Sequence, residues 1–477
     1  MLFILITRFA GKTDIKKASN FTLFGFLLIL TPPISDYIIF HNPGIFSLYE
    51  FGSLRELVYH FFTFFDDTPD FGITYGIRIE IAIAIVIMAL YSYFKTEQLW
   101  RVFMTAFLTY MMLYVVSTLP SWITFFLLIG EKNLLSINSL DAVQIFLSPT
   151  LLFGTTPELV NASHLKMSLT YIILDLIALV ALLFLYFRSI LTALYHNARL
   201  PQMGYHAGLF LLGALIVPFF ESTTFRFDFF HILAVLTMLI AVECAWLASV
   251  VVNDLYDIEI DKVTNRTRPL IANTIAKKDY SIFGILFFFI SIFFMAIISV
   301  TGALLLVAYQ AIAFLYSANP LRLKRFPLFA TLFASAASLL IFFAGYIIFS
   351  TIKSINSMPW SIPAFLFVAY TFLLTIKDFK DITGDKHDQV YTIPVLLGAQ
   401  LGKQVIGTLT FLLFVFSPFV LHIRSLFFPA LFFGGLTFLA LQKGTDDETS
   451  FFAFRKLPRI ILTLTILYGI VTMLFLM

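Results

Sequence analysis

Asn253-Asp254-Leu255-Tyr256-Asp257-Ile258-Glu259-Ile260-Asp261 sets four acids at the end of a long apolar run. A second acidic stretch, Lys377-Asp378-Phe379-Lys380-Asp381-Ile382-Thr383-Gly384-Asp385, again directly follows uncharged apolar sequence. On a helix of about 3.6 residues per turn, Asp254, Asp257 and Asp261 share one face, and Asp378, Asp381 and Asp385 repeat the spacing. Carboxylates held so close repel, and they stay ionised only where a cation or strong solvation offsets the repulsion.

The surrounding chain explains why such clusters stand out. Of 477 residues, 60% are hydrophobic and 12% charged, and Phe alone accounts for 59. About 20 consecutive apolar residues span a bilayer core, and many runs here reach that length. The composition therefore specifies an all-α polytopic membrane protein. A formal charge of +3 gives no reason to expect a nucleic-acid partner. A single cysteine, Cys244, excludes an internal disulfide framework and a multi-cysteine metal site. The basic start, with Arg8, Lys12, Lys16 and Lys17, reads as an interfacial cytoplasmic segment.

Apolar periodicity divides the chain in two. Residues 1–200 hold about four spans, near 20–40, 77–94, 100–119 and 168–188, with shorter apolar pieces near 121–129 and 143–153 and a long acidic loop at 41–76 that includes Asp66, Asp67 and Asp70. His41 and His60 in that loop lack ligand-like spacing, and Asp175 sits mid-span with no visible partner. Residues 205–477 give nine spans, near 206–222, 229–253, 281–299, 302–318, 327–350, 361–377, 404–422, 426–442 and 459–476, with a tight turn expected at Thr301-Gly302. The loops after the second, fourth, sixth and eighth of these carry 16 Lys and Arg against 3 on the opposite side. The positive-inside rule puts both acidic stretches on the cytoplasmic face. Four preceding spans from a cytoplasmic start agree in parity.

Carboxylates and an amide oxygen are hard ligands suited to Mg²⁺, which is commonly held by one or two carboxylates together with substrate phosphates. Two facing acidic clusters can hold Mg²⁺ and, through it, a diphosphate. Complementary charge lies in Tyr316-Ser317-Ala318-Asn319-Pro320-Leu321-Arg322-Leu323-Lys324-Arg325. Arg322, Lys324 and Arg325 suit phosphate oxygens, and Tyr316 and Ser317 are hydrogen-bond donors. Lys377 opens the second stretch, and Arg268-Pro269 follows the first. Glu243, 11 residues before Asp254, returns to nearly the same helix face three turns deeper. An intramembrane acid is a functional candidate, here for holding or deprotonating an acceptor.

Together these motifs resemble the UbiA superfamily of intramembrane prenyltransferases. The resemblance rests on Asn253 to Asp261, Arg268-Pro269-Leu270, the Tyr316 to Arg325 loop, and Lys377 to Asp385 followed by Thr392-Ile393-Pro394-Val395 and Gly398; it covers about 205–477. It implies nine helices around a central cavity open to lipid, with residues 1–200 as a membrane extension of unassigned function. It also implies Mg²⁺ and diphosphate binding at Asn253, Asp254, Asp257, Asp261, Asp378, Asp381 and Asp385, with diphosphate contacts from Arg268, Lys324 and Arg325. The implied reaction moves an isoprenyl group from its diphosphate to an acceptor that these residues do not identify. The spacing from Asp261 to Arg268 is similar to the homogentisate, chlorophyll and geranylgeranylglyceryl-phosphate branch, although Ala272-Asn273 stand where that branch commonly has a small residue and Gly. Two other readings remain open at this point: a polyprenyl-phosphate phosphoribosyl-type transferase, and a cation-binding transporter.

Overall fold

The computed structural model describes residues 1–41, 53–66, 73–146, 159–222, 228–326, 329–382, 386 and 391–476. Asp67, Asp70 and Asp385, and the apolar piece beyond Phe146, lie outside them. The described residues form two compact units, one within residues 1–185 and the other from Tyr186 onward.

In the first unit the helices are α1 (Leu2–Ala10), α2 (Ile15–Gly25), α3 (Thr31–Phe40), α4 (Leu54–Phe62), α5 (Tyr75–Thr96), α6 (Leu99–Ser117), α7 (Leu119–Leu128), α8 (Ser139–Phe146) and α9 (Leu159–Tyr186). Four segments of this unit are long and apolar enough to cross a membrane: Ile15–Ile38, Tyr75–Thr96, Leu99–Ser117 and Ala162–Tyr186. They match the four spans expected from the sequence. Buried Asp36 accepts the Gly76 amide at 2.8 Å and ties α3 to the start of α5.

The second unit runs α10 (Arg188–Asn197), α11 (Leu200–Leu215), α12 (Phe229–Tyr256), α13 (Ile258–Thr264), α14 (Lys277–Ile298), α15 (Val300–Ser317), α16 (Phe329–Phe349), α17 (Ser361–Thr375), α18 (Ile393–Val420), α19 (Phe427–Gln442) and α20 (Leu457–Leu476). Eight membrane-length segments and the shorter apolar Leu457–Thr472 follow the nine expected spans in order. Helices α11, α12 and α14 to α20 pack largely in sequence order, with α11 also against α16 and α12 against α15. Half of the apolar window of α12 and of α16 is buried, against 11% for α14, so α12 and α16 are central and α14 peripheral. The break between α14 and α15 comes at extended Ser299, whose hydroxyl caps the Gly302 amide at 3.1 Å, just ahead of the turn expected at Thr301-Gly302. Gly302 serves packing instead, since a Cβ there would come within 2.8 Å of Ile348.

Among the described glycines, the closest backbone approaches lie at the α11–α16 crossing. A Cβ on Gly213 would fall 2.0 Å from the Phe342 carbonyl oxygen, and one on Gly345 would fall 2.0 Å from that of Phe210. The two glycines therefore let the backbones approach reciprocally, the usual way membrane helices gain dispersion contacts where lipid removes the hydrophobic drive. Beyond this crossing, Glu221 accepts hydrogen bonds from Ser350, from both the amide and hydroxyl of Thr351, and from Ser357, at 2.6 to 2.7 Å. Gly213→Ala or Gly345→Ala is expected to cost about 1–3 kcal/mol through forced backbone separation. Gly208→Ala and Gly435→Ala, where an added Cβ would meet no neighbouring helix within 4 Å, are neutral controls. Thermal unfolding in detergent of the four variants checks the contrast.

Candidate active site

Helix α12 ends at Tyr256, and Asp257, at φ −105° and ψ 16°, joins it to α13. The ladder nevertheless continues, with the Asp257 amide on the Asn253 carbonyl (3.0 Å) and the Asp261 amide on that of Asp257 (2.8 Å). All three aspartates are buried, at 2%, 7% and 2% exposure for Asp254, Asp257 and Asp261. Carboxylates at such burial need counter-charge and hydrogen bonds, and both are present.

Asp254 takes four donors. Arg199 (2.6 Å) and Arg268 (2.9 Å) reach Oδ1, while Asn197 (2.7 Å) and the Tyr280 hydroxyl (2.8 Å) reach Oδ2. Asp261 shares Arg268 and accepts from Asn265 at 3.3 Å. Asp257 turns to the other basic group, accepting from Arg322 at 2.8 Å and from the Lys324 ammonium through both oxygens. The same ammonium lies 3.5 Å from the Asn253 amide oxygen, which also accepts from Ser317 at 3.2 Å. One cation therefore bridges Asp254 and Asp261, and another bridges Asn253 and Asp257. The shared face expected of the three aspartates is in effect two neighbouring stations.

Local backbone places these cations. Arg199 and Arg322 both adopt the left-handed conformation, at φ 54° and φ 38°, which costs a non-glycine residue of order 1 kcal/mol or more and persists only where surroundings enforce it. Arg199 is then the cap of α11, followed by Pro201 in the first turn, where a missing amide hydrogen does no harm. After Arg268 the chain turns tightly, with the Ala272 amide on the Arg268 carbonyl at 2.8 Å and Asn273 left-handed at φ 52°. Asn is the residue besides Gly best able to supply that turn. Ala193, Val251, Ile275 and Tyr280 form the apolar cluster that seats α10 beneath the acids. Burial pulls the Arg199 guanidinium and the Lys324 ammonium below their ordinary values, against the opposing pull of Asp254 and Asp257. Burial likewise pushes Asp261 up to about 6, with Arg268 pulling it down.

The second acidic stretch winds as a 3₁₀ helix, Ile376–Asp381, rather than an α-helix. Phe379 is its anchor, 1% exposed and stacked on Phe454 with ring centres 5.5 Å apart. Asp378 is half-buried beside it. The Lys377 ammonium lies 6.0 Å from the Tyr316 ring centre, which links this stretch to the end of α15. Arg325 is exposed and, among the described residues, stands outside the ion-pair network. Among the same residues no three acids converge as a metal group by themselves. Glu243 lies within α12, with Oε2 buried and lacking a hydrogen-bond partner.

Asn197, Arg199 and Tyr280 are site residues the sequence alone did not single out. The signal available was Asn197-Ala198-Arg199-Leu200-Pro201, polar residues at the start of a span on the same side as the acids.

Residues 211–457 match the UbiA prenyltransferase family, and the chain belongs to it. It is an integral, multi-pass membrane protein. Among curated relatives, a digeranylgeranylglyceryl phosphate synthase from Saccharolobus solfataricus is 29% identical over 173 residues, which are 35% of this chain and 58% of that protein. A probable homogentisate phytyltransferase from Oryza sativa is 28% identical over 172 residues, covering 34% of this chain and 44% of the relative. The chain thus spans less than two thirds of either length. A solved UbiA homolog from Archaeoglobus fulgidus, bound to DMAPP and Mg²⁺, aligns at 20% identity with a TM-score of 0.44, over 58% of this chain and 96% of that one.

The ion-pair pattern separates the two neighbouring basic residues of the α15–α16 connection. Lys324→Met is expected to cost about 1–3 kcal/mol, the range for stripping a partner from a buried charged group. Arg325→Ala, on an exposed side chain, should stay within about 0.5 kcal/mol. Denaturation midpoints in one detergent compare them directly.

Proposed function

We propose that this protein transfers an isoprenyl group from an isoprenyl diphosphate to an acceptor, with release of pyrophosphate and dependence on Mg²⁺. The observation that carries the reading is the interleaving of buried acids and cations around Asn253 to Asp261. Lys324 between Asn253 and Asp257, and Arg268 between Asp254 and Asp261, occupy the places that a hard cation would take among those oxygens. The donor set fits Mg²⁺ by its chemistry. Asn253, Asp254, Asp257 and Asp261 would hold it from one side and Asp378, Asp381 and Asp385 from the other. When bound, the metal supplies charge stabilisation for the departing diphosphate.

The chain's own cations do the remainder. Arg199, Arg268, Arg322 and Lys324 suit phosphate oxygens, with Arg325 and Lys377 at the rim and the hydroxyls of Tyr316 and Ser317 as further donors. These groups fix the diphosphate and leave the allylic carbon facing the apolar bundle, where ring faces favour a developing positive charge. The names of the relatives support a lipophilic isoprenoid substrate. The excess of basic residues beside both acidic stretches supports a cytoplasmic site, and residues 1–200 are an extension to the transferase domain of 205–477.

Purified protein given a radiolabelled isoprenyl diphosphate should release pyrophosphate only with Mg²⁺, and Asp257→Ala or Asp378→Ala should lower that release at least about 100-fold, as loss of a transition-state electrostatic group does. Release that is indifferent to Mg²⁺ and to both substitutions would overturn the assignment. The pH dependence has a defined sign. Asp261 must shed its proton to take a cation, so Mg²⁺ affinity should rise with pH through about 6 and level off above it. In the metal-free protein the same raised carboxyl adds stability below the ordinary carboxylate range, and that contribution is lost as pH climbs through about 6. Titration calorimetry and thermal unfolding across pH 4 to 8 measure the two.

A further inference from the structure

Asp254 receives its four hydrogen bonds unequally. Oδ1 meets Arg199 at 2.6 Å and Arg268 at 2.9 Å, two charged side chains that are still 26% and 19% exposed. Oδ2 meets Asn197 at 2.7 Å and the Tyr280 hydroxyl at 2.8 Å, two neutral donors that are 8% and 1% exposed. Asn197 and Tyr280 also bond to each other, through Asn197 Nδ2 and the phenolic oxygen. Every polar hydrogen of this triangle is placed. The Asn197 amide gives one to Asp254 and one to Tyr280, the phenol gives its own to Asp254, and Oδ2 accepts twice, which fills its lone pairs.

The triangle is built into the packing. A Cβ on Gly284 would fall 2.6 Å from Val251 Cγ1, so α14 lies close against α12 one turn beyond Tyr280 and brings that hydroxyl to Asp254. Tyr280 packs in the apolar cluster with Ala193, Val251 and Ile275. Asn197 is the last residue of α10, and the Ala198 carbonyl that follows it accepts from Trp246 Nε1 of α12 at 3.3 Å. Helix α10 lies wholly ahead of residues 211–457, so one corner of the triangle comes from sequence outside the family match. Three segments therefore converge on a single carboxylate oxygen, while the other oxygen of the same group is held only by the ends of two long, partly exposed side chains.

We infer that Asn197 and Tyr280 are positioning residues that withhold Oδ2 from exchange and leave Oδ1 as the single oxygen of Asp254 offered to an incoming cation, so that the pair sets which cation the site prefers. A carboxylate restricted to one oxygen suits Mg²⁺, which demands near-octahedral geometry, better than Ca²⁺, which accepts both oxygens of a carboxylate and a looser arrangement of ligands. Hydrogen-bond partners that orient a ligand in this way are worth about 10–100-fold in metal affinity. Neither residue touches the substrate in this role; each acts through Asp254. The inference rests on the Mg²⁺-dependent transfer reading, and the choice between cations is its own content.

The test measures binding rather than turnover. The full chain in detergent is given radiolabelled geranyl S-thiolodiphosphate, whose sulfur link resists ionisation, and the free Mg²⁺ or Ca²⁺ concentration that half-saturates its binding is recorded. Tyr280→Phe and Asn197→Ala should each raise the Mg²⁺ requirement about tenfold and the Ca²⁺ requirement less than about threefold. The double substitution should add less than about threefold to the stronger single one, because both donors act on Oδ2. In Asp254→Ala, which removes that oxygen, adding Tyr280→Phe should change either requirement less than about twofold. Tyr346→Phe strips a hydroxyl of comparable burial, bonded to Ser357 at 2.8 Å, and as the control for lost packing should leave both requirements within about twofold. Each of the two substitutions is decisive alone where the other does not fold. Mg²⁺ and Ca²⁺ requirements that shift equally or not at all in the folded variants, or an undiminished effect of Tyr280→Phe in Asp254→Ala, would overturn the positioning role and leave the transfer reading standing. Binding of the analogue by the unaltered protein that is indifferent to Mg²⁺ would remove both.

Discussion

Three ionised carboxylates buried at the edge of a bilayer are the constraint around which the second unit is built. The desolvation cost of each is several kcal/mol unless it is returned by counter-charge and hydrogen bonds. The chain answers with four cations and three neutral donors drawn from widely separated positions: Asn197 and Arg199, Asn265, Arg268, Tyr280, Arg322 and Lys324. Helices α10, α11, α14 and the α15–α16 connection are thereby referred to one short segment of α12 and α13. The reciprocal glycine contact of α11 with α16 then fixes where Arg199 stands, because it sets how closely that helix lies against the centre of the bundle.

Much of this was legible in the chain. Apolar periodicity gave the spans and their order, because a lipid-exposed helix must be apolar for its full length. The paired acids and the basic stretch after α15 were visible because charge is so scarce elsewhere. Less legible was which acid meets which base. Helical spacing suggests one face for Asp254, Asp257 and Asp261, but the junction at Asp257 turns that residue to Arg322 and Lys324 and leaves Asp254 and Asp261 to Arg268. Arg322 and Arg325 look alike in sequence; only the left-handed backbone at Arg322 aims one of them inward.

Arg199, Asn197 and Tyr280 escaped notice for a different reason. They lie 55, 57 and 26 positions from Asp254, and their partnership depends on long-range packing that no local pattern encodes. The second stretch shows the reverse case. Its spacing mimics the first, yet it coils as a 3₁₀ helix held by Phe379, a residue that reads as one more Phe in a chain with 59.

The saturation of Asp254 by four donors has a consequence for how the site fills. A divalent ion arriving alone would have to evict guanidinium groups that then have nowhere to discharge, in a cluster already one positive charge richer than its acids. An ion escorted by a polyanion would meet no such obstacle, because the carboxylates would hold the metal while the arginines would hold the phosphates, and each charge would keep a partner. On the proposed reading, metal and diphosphate affinities would be reciprocally linked, and the site is a set of exchangeable pairs in which loading would be a change of partners.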